Sequence, residues 1–280
     1  MEIQLYVKYN LLEGGEKLRS ISEHQHKKSE YTLKNILGQA IWYSRWCIES
    51  ISLMSGFGIC CEYDRAKINR LLKVLNIKNI EHILPENMTL LKAVYKKGDP
   101  HHCNAFNGNK NDFHNFLWDS SSFKKVINPS SQAYLILDEI LIAKFLYKQS
   151  VSVHSIKNIA STRATALVLM DCAKMQCEFM SGCLRNNEGL FVSKEETDLD
   201  GQGKLELSEE EDPPSVSDQA LAMKAFSALA SALQDKNYPV FEDDSFAGTC
   251  KKYADEIYSM LKDSPDDVFN SKAKDLCSII

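Results

Sequence analysis

The chain lacks the short motifs that mark many common enzyme classes. Its 280 residues contain no Walker A loop, no GxGxxG after a predicted strand, no GxSxG and no HExxH. These motifs supply the phosphate cradles, nucleophile elbows and zinc ligands of the corresponding enzymes. Their absence argues against those sites, and no cofactor is predicted.

A basic surface and a disulfide framework are also missing. The net charge of −5 provides no positive field to attract nucleic acid or an anionic membrane, so neither is an expected partner. The nine cysteines are an odd number scattered through helical patterns, which is typical of a reducing compartment.

No targeting or membrane-spanning segment is predicted. The first residues carry no basic stretch followed by an apolar one, so they do not resemble a signal peptide. The most apolar stretch, 41–61, contains Arg45, Glu49 and two glycines, which favours a buried amphipathic helix over a membrane span. The expected location is cytoplasmic.

Helical periodicity dominates what is present. Asn128-Pro129 and Ser215-x-x-Asp218 are typical helix starts, whereas only Glu2–Tyr9 alternates enough to suggest a strand. The sequence therefore predicts an all-α fold, with residues 1–280 forming a single domain of antiparallel helix hairpins. The predicted helices are 31–54, 64–75, 85–97, 129–149, 154–184, 215–235 and 245–262, with a further short helix expected after Pro265.

Two connections, 98–127 and 185–214, are unusually long for a helical domain. Loops of this length tend to be functional or disordered, and disorder is the alternative expected for 193–214. One predicted helix pair separates the two connections. Because successive antiparallel helices place every second connection at the same end, we expect both to share one face, which is the candidate site.

The first connection carries a concentration of polar and aromatic side chains. Three histidines and a cysteine could ligate zinc only if the loop folded back on itself, and no CxxC or HxxxH accompanies them. No metal site is therefore predicted, and the alternatives are a pocket lining and a plain surface loop. The residues singled out are His101, His102, Phe113, His114, Trp118 and Asp119.

The second connection contains an acidic segment, 198–209, that is similar to an EF-hand calcium loop. Gln202 and Glu210 depart from that pattern, Gly189 shortens the entering helix, and two prolines block the exiting one. A solvated acidic loop is the competing interpretation. The oxygen ligands of a calcium site would be Asp198, Asp200, Gln202, Glu206 and Glu209.

The helix that starts near Ser215 is rich in alanine, which lets neighbouring helices approach closely. Asp218 and Gln219 lie at its beginning, next to the proposed face, and Glu188 lies in a turn of the same connection. These three residues are candidates for contacting a ligand. The competing interpretation of Asp218 is that it only caps the helix.

Residues 163–262 resemble the helical-toroid family that includes N-acylglucosamine 2-epimerase. The resemblance rests on Glu188-Gly189-Leu190-Phe191, Ser217-Asp218-Gln219-Ala220-Leu221 and Tyr253-Ala254-Asp255. It implies a toroid of helix hairpins. The family has some twelve helices against about eight predicted here, so a short or incomplete (α/α) toroid is expected. The catalytic histidines of the family have no counterpart in this chain.

Two functions follow from these observations. The first is an enzyme or binding protein for a carbohydrate, a sugar-like small molecule held on the face of the two long loops. Histidines or carboxylates would transfer protons and Trp118 would stack on a sugar ring. The second is a non-catalytic helical scaffold that binds a protein partner. In the first case, His101, His102, His114, Asp119 and Asp218 would be catalytic, and Phe113, Trp118, Glu188 and Gln219 would bind the ligand.

Overall fold

The structure, a computed structural model, describes residues 33–61, 90–98, 122–152, 156–197 and 206–263. The chain divides into two compact units, 1–43 and 44–280. The described residues belong to the second unit, apart from 33–43 at the start of the first helix. None of the described helices combines the length and apolar content needed to cross a bilayer.

Five described helices lie close to the predicted positions. Asn128 caps α2, since its side-chain Oδ1 accepts from the Ser131 N–H (3.2 Å), and Pro129 is the first helical residue. Ser215 caps α4 by accepting from the Asp218 N–H. The helices are α1 Leu33–Met54, α2 Pro129–Ser152, α3 Ile156–Cys183, α4 Val216–Leu233 and α5 Asp244–Asp263.

The alanine-rich helix α4 packs against both α2 and α5, while α2 also packs along α3. Small side chains make this close approach possible because they keep the backbones near one another. Larger groups, among them Leu229 and Phe226, then fill the remaining core. The buried alanines of α4 are Ala220, Ala222, Ala225, Ala230 and Ala232.

The all-α prediction is wrong, because the described residues also form three small antiparallel sheets. The helix predicted over 85–97 is replaced by a strand at Leu90–Val94, which is buried on both faces. A short apolar run of this kind cannot be assigned to helix or strand by periodicity alone. The strands are β1 Gly58–Cys61, β2 Leu90–Val94, β3 Lys97–Gly98, β4 Phe123–Lys124, β5 Val126–Ile127, β6 Lys194–Thr197 and β7 Glu206–Glu209. The predicted helix 64–75 and the predicted strand 2–9 lie outside the described residues.

Backbone hydrogen bonds connect the three sheets into one ribbon, which we call the strand platform. Tyr95 N–H donates to the Phe57 carbonyl, and Lys96 N–H donates to the Val126 carbonyl (2.6 Å). Across the platform the order is β1, then β2 and β3, then β4 and β5, then β6 and finally β7. All neighbouring segments are antiparallel.

The platform brings the two long connections together. In β5 and β6, Val126 pairs with Glu195, and the Glu196 N–H then donates to the Lys125 carbonyl (2.9 Å). The carboxyl end of β6 therefore lies beside the beginning of β4. There, Phe123 of β4 pairs with Gly98 of β3. The anchor residues on both sides of 99–121 and of 198–205 thus lie at the same end of the platform.

A buried carboxyl group lies in the helical core between α2 and α3. The Gln176 side-chain amide donates to Glu139 Oε1 (2.8 Å) and to the Leu91 carbonyl (3.2 Å). Burial raises the pKa of Glu139 to about 8, and the charge of Asp138 adds to the effect. Gln176 and Ser52 lower the pKa of Glu139, but by less than burial raises it. Ser52 lies beside the carboxyl without a well-formed hydrogen bond. Glu139 is therefore neutral in the native protein at pH 7.

We expect Glu139 to make the protein less stable as the pH rises. The pKa of Glu139 in the folded protein exceeds the usual value of 4.5. The contribution of this group to stability is therefore complete below pH 4.5 and is lost as the pH approaches 8. The free energy of unfolding should fall by up to about 1.4 kcal/mol per pH unit across that window. Urea denaturation at a series of pH values measures this slope.

The variant Glu139→Gln should flatten this pH dependence, because the amide stays neutral and its oxygen can still accept from Gln176. The matched control is Asp138→Asn, which alters the adjacent carboxyl on the exposed side of α2 and should leave most of the slope in place. Equal slopes for the wild type and Glu139→Gln would contradict the assignment.

Candidate functional site

A network of three polar side chains lies at the centre of the strand platform. The Tyr95 hydroxyl donates to Glu196 Oε2, and Lys125 Nζ donates to Glu196 Oε1 (3.1 Å). Tyr95 follows β2, Lys125 lies between β4 and β5, and Glu196 belongs to β6. One carboxylate thus connects three adjacent segments of the platform.

Three aromatic rings support this network from the apolar side. Phe57 contacts both Phe123 and Tyr95 edge-on, with ring centroids 5.0 and 6.3 Å apart. The rings of Tyr95 and Phe123 are 5.7 Å apart. Such pairs hold their members in fixed orientations. The residues that flank 99–121 are therefore attached to a packed base.

Burial keeps the Tyr95 hydroxyl and the nearby Cys60 thiol in their neutral forms. Burial raises the pKa of Tyr95, and its hydrogen bond to Glu196 raises it further. Burial also raises the pKa of the nearby Cys60 thiol, with a contribution from Cys61. Neither Tyr95 nor Cys60 is poised to ionise at neutral pH, which suits a supporting role.

Gln219, predicted to bind a ligand, forms a buried clasp on the backbone of Phe191. Its Oε1 accepts from the Phe191 N–H (2.9 Å) and its Nε2 donates to the Phe191 carbonyl (2.8 Å). Nε2 also donates to the Ser215 carbonyl (3.3 Å). The side chain is buried and its donors and acceptor are engaged, so Gln219 holds α4 against the segment that leads into β6.

Asp218 connects the first turns of two helices. Its Oδ1 accepts from the Ser130 N–H (3.1 Å) and from the Ser130 hydroxyl, while its own N–H donates to Ser215. A carboxylate near helix N-termini is favoured by their exposed N–H groups and dipoles. The Asp218 carboxylate thus accepts hydrogen bonds from the first turn of α2, whereas the first turn of its own helix is capped by Ser215, and these contacts tie α4 to α2.

Glu188 lies in a tight turn and is exposed. The Asn186 side-chain oxygen organises this turn by accepting from the Glu188 and Leu190 N–H groups (3.0 and 2.9 Å). Gly189 has a φ of +84°, a conformation that glycine adopts readily. The turn returns the chain to Phe191 and then to the platform.

The other six predicted site residues lie outside the described residues. They are His101, His102, Phe113, His114, Trp118 and Asp119. Their segment is anchored at Gly98 and Phe123, on the end of the platform that also anchors 198–205. Among the described residues, no group of three or more histidines, cysteines or carboxylates is arranged to hold a metal ion.

The calcium-like segment is flanked by strands where an EF-hand has helices. Thr197, at the end of β6, pairs with Glu206, and Lys194 pairs with Glu209. Glu206 and Glu209, which would have been ligands, are therefore part of β7. The helix pair that supports an EF-hand loop is replaced by a β-hairpin stem.

The outermost strand, β7, leaves one edge without a partner strand among the described residues. In an antiparallel ladder, successive residues direct their N–H and carbonyl groups alternately toward and away from the neighbouring strand. Because the Glu210 N–H donates to the Ser193 carbonyl, the main-chain groups of Ser208, two residues earlier, also point toward β6. Those of Leu207 and Glu209 point away from it. Within the described residues, the sheet thus ends in an open edge.

Comparison with known proteins finds no relative: no protein-family model, curated protein or solved structure matches this chain.

Sequence reasoning missed the residues that build the platform. Tyr95 lies within a predicted helix, while Lys125 and Glu196 belong to short charged runs that match no motif. The side chains of Asn128 and Ser193 form a hydrogen bond (3.0 Å), although the two residues are 65 positions apart in the sequence. Only the length of the two connections gave a usable signal, since it pointed to the region where these residues meet.

Substituting Gln219 should reduce stability. In Gln219→Leu the buried N–H and carbonyl of Phe191 lose their partners, which should cost about 3 kcal/mol of unfolding free energy. Chemical denaturation measures the loss. The control Gln234→Ala, at an exposed position after the same helix, should change stability by less than about 0.5 kcal/mol. Equal stabilities for the two variants would show that the clasp contributes little.

Proposed function

We propose that this chain is a protein-interaction module whose binding surface is the end and outer edge of the strand platform. The observation that carries the proposal is the open edge of β7, next to the shared anchor points of 99–121 and 198–205. Exposed sheet edges and loops on a rigid scaffold are common places for binding another chain.

The platform is firmly attached to the helical core, which supports this proposal. Lys194, at the start of β6, donates to the Arg185 carbonyl (2.9 Å). The Arg185 guanidinium lies over the ring of Tyr253 in α5, 4.7 Å from its centroid, and contacts Glu256. Together with the Gln219 clasp, these contacts hold the surface in place before a partner arrives. A preorganised surface loses less conformational entropy on binding.

The carbohydrate hypothesis rested on a face shared by the two long loops and on a toroid of helices. The anchor residues of both loops lie at one end of the platform, but the described residues form a mixed α/β structure and not an all-α toroid. Gln219 and Asp218, two of its proposed contact residues, make hydrogen bonds within the fold. A sugar site on 99–121 stays a prediction.

Site-specific photocrosslinking tests the proposed surface. A benzoylphenylalanine in place of Ser208, exposed on β7, should yield a discrete covalent adduct with another protein in cells that naturally contain this chain. The same substitution at Ser259, exposed on α5, should yield much less. Excess unlabelled protein should compete the adduct away, because a specific site is saturable.

The result would contradict the proposal if Ser208 gave no discrete adduct, or if Ser259 gave the same products in the same amounts. A panel of mono- and disaccharides tested in parallel by thermal shift addresses the alternative, since a ligand of the native state raises the melting temperature. A sugar-dependent rise without any edge adduct would favour the carbohydrate hypothesis.

A further inference from the structure

The chemistry of the β7 edge defines the kind of partner it fits. From Glu206 to Asp212 the chain has five acidic residues and no lysine or arginine. Ser208, Glu209, Glu211 and Asp212 are exposed. The open edge is therefore strongly negative along the whole line that a partner strand would follow.

This charge is only weakly neutralised by the described residues. The nearest described cation is Lys194, whose Nζ is 3.9 Å from Glu209 Oε1. The same ammonium donates to the Arg185 carbonyl at the shorter distance of 2.9 Å, and its side chain is 14% exposed. Within the described part of the chain, most of the negative charge on the edge is thus left for an outside group.

The main-chain groups of the edge are available in the same place. Leu207 and Glu209 direct their N–H and carbonyl groups away from β6, as the ladder alternation requires. The Leu207 side chain packs against the hydrophobic core, which fixes the face that β7 presents. An extended peptide could bond to both residues by adding a strand.

We propose, building on the protein-interaction function above, that β7 binds an extended basic peptide segment of another protein as an added strand. Main-chain hydrogen bonds to Leu207 and Glu209 would supply the pairing, and lysine or arginine side chains would face the acidic side chains. Cross-strand pairs of opposite charge stabilise such an arrangement.

The same charges exclude a second copy of this chain as the occupant. Two β7 strands side by side would place several carboxylates opposite one another, which destabilises the pairing. The edge therefore discriminates by sign: it rejects acidic strands, including its own, and accepts basic ones.

The test uses the full chain and two labelled ten-residue probes, alternating Lys-Val and alternating Glu-Val. Fluorescence anisotropy should show binding of the Lys-Val peptide at least about tenfold tighter than that of the Glu-Val peptide. Amide hydrogen exchange provides the second measurement. The Lys-Val peptide should slow exchange at Leu207 and Glu209, whereas Ser208 and Glu210 should be protected already.

Two variants with the same net charge separate strand addition from simple attraction. Glu209→Pro removes an outward N–H without removing a bond to β6, whereas Glu209→Gln keeps that N–H. We expect Glu209→Pro to weaken binding of the Lys-Val peptide about tenfold relative to Glu209→Gln. Ser208→Pro, which removes an N–H directed at β6, would instead disturb the hairpin.

Equal affinities for the two Glu209 variants would overturn strand addition, as would unchanged exchange at Leu207 and Glu209. The exchange measurement needs no substitution, so the test stands even if Glu209→Pro folds poorly. The Ser208 crosslink distinguishes the two proposals. If its adduct persists in Glu209→Pro, the protein-interaction surface stands and only the added strand is wrong.

Discussion

The pairing of β5 with β6 is the interaction on which the described structure depends. It joins two parts of the chain that are separated by the α2 and α3 helices, and both parts continue directly into the helical core. Asn128 shows how closely the two layers are connected. It follows β5, caps α2 and donates to Ser193, which precedes β6. The strand platform and the helices therefore depend on one another.

This coupling explains why buried polar side chains are concentrated where the platform meets the helices. Gln219 satisfies the backbone of Phe191, and Gln132 Oε1 accepts from the Val94 N–H (2.9 Å). A backbone group that leaves water without a partner carries a large cost, so helix side chains serve as partners at these positions. Gln132 of α2 thus adds a hydrogen bond to β2, and Gln219 of α4 satisfies the segment just before β6.

The helices could be predicted from the sequence because their signals are local. The caps at Asn128 and Ser215, and the apolar periodicity of the long helices, lie within a few turns of the residues they organise. The strands could not, because β2 is a five-residue apolar run and β3, β4 and β5 have two residues each. Their pairing is decided by partners such as Gly98 and Phe123 or Val126 and Glu195, which no local pattern reveals.

The polar residues around Ser215 could be singled out from the sequence because they lie at a local helix start. That Asp218 and Gln219 bond within the fold became visible only when Ser130 and Phe191 were placed beside them.

The buried carboxyl of Glu139 also affects how the protein exchanges protons with its surroundings. In the unfolded chain this group is ionised at neutral pH, whereas in the core it holds its proton. Folding at pH 7 therefore takes up about one proton at this position, and unfolding releases it to the buffer. The heat of unfolding measured by calorimetry then includes the heat of protonating the buffer. Two buffers at the same pH would give different enthalpies for the same transition, and that difference counts the proton stored in the core.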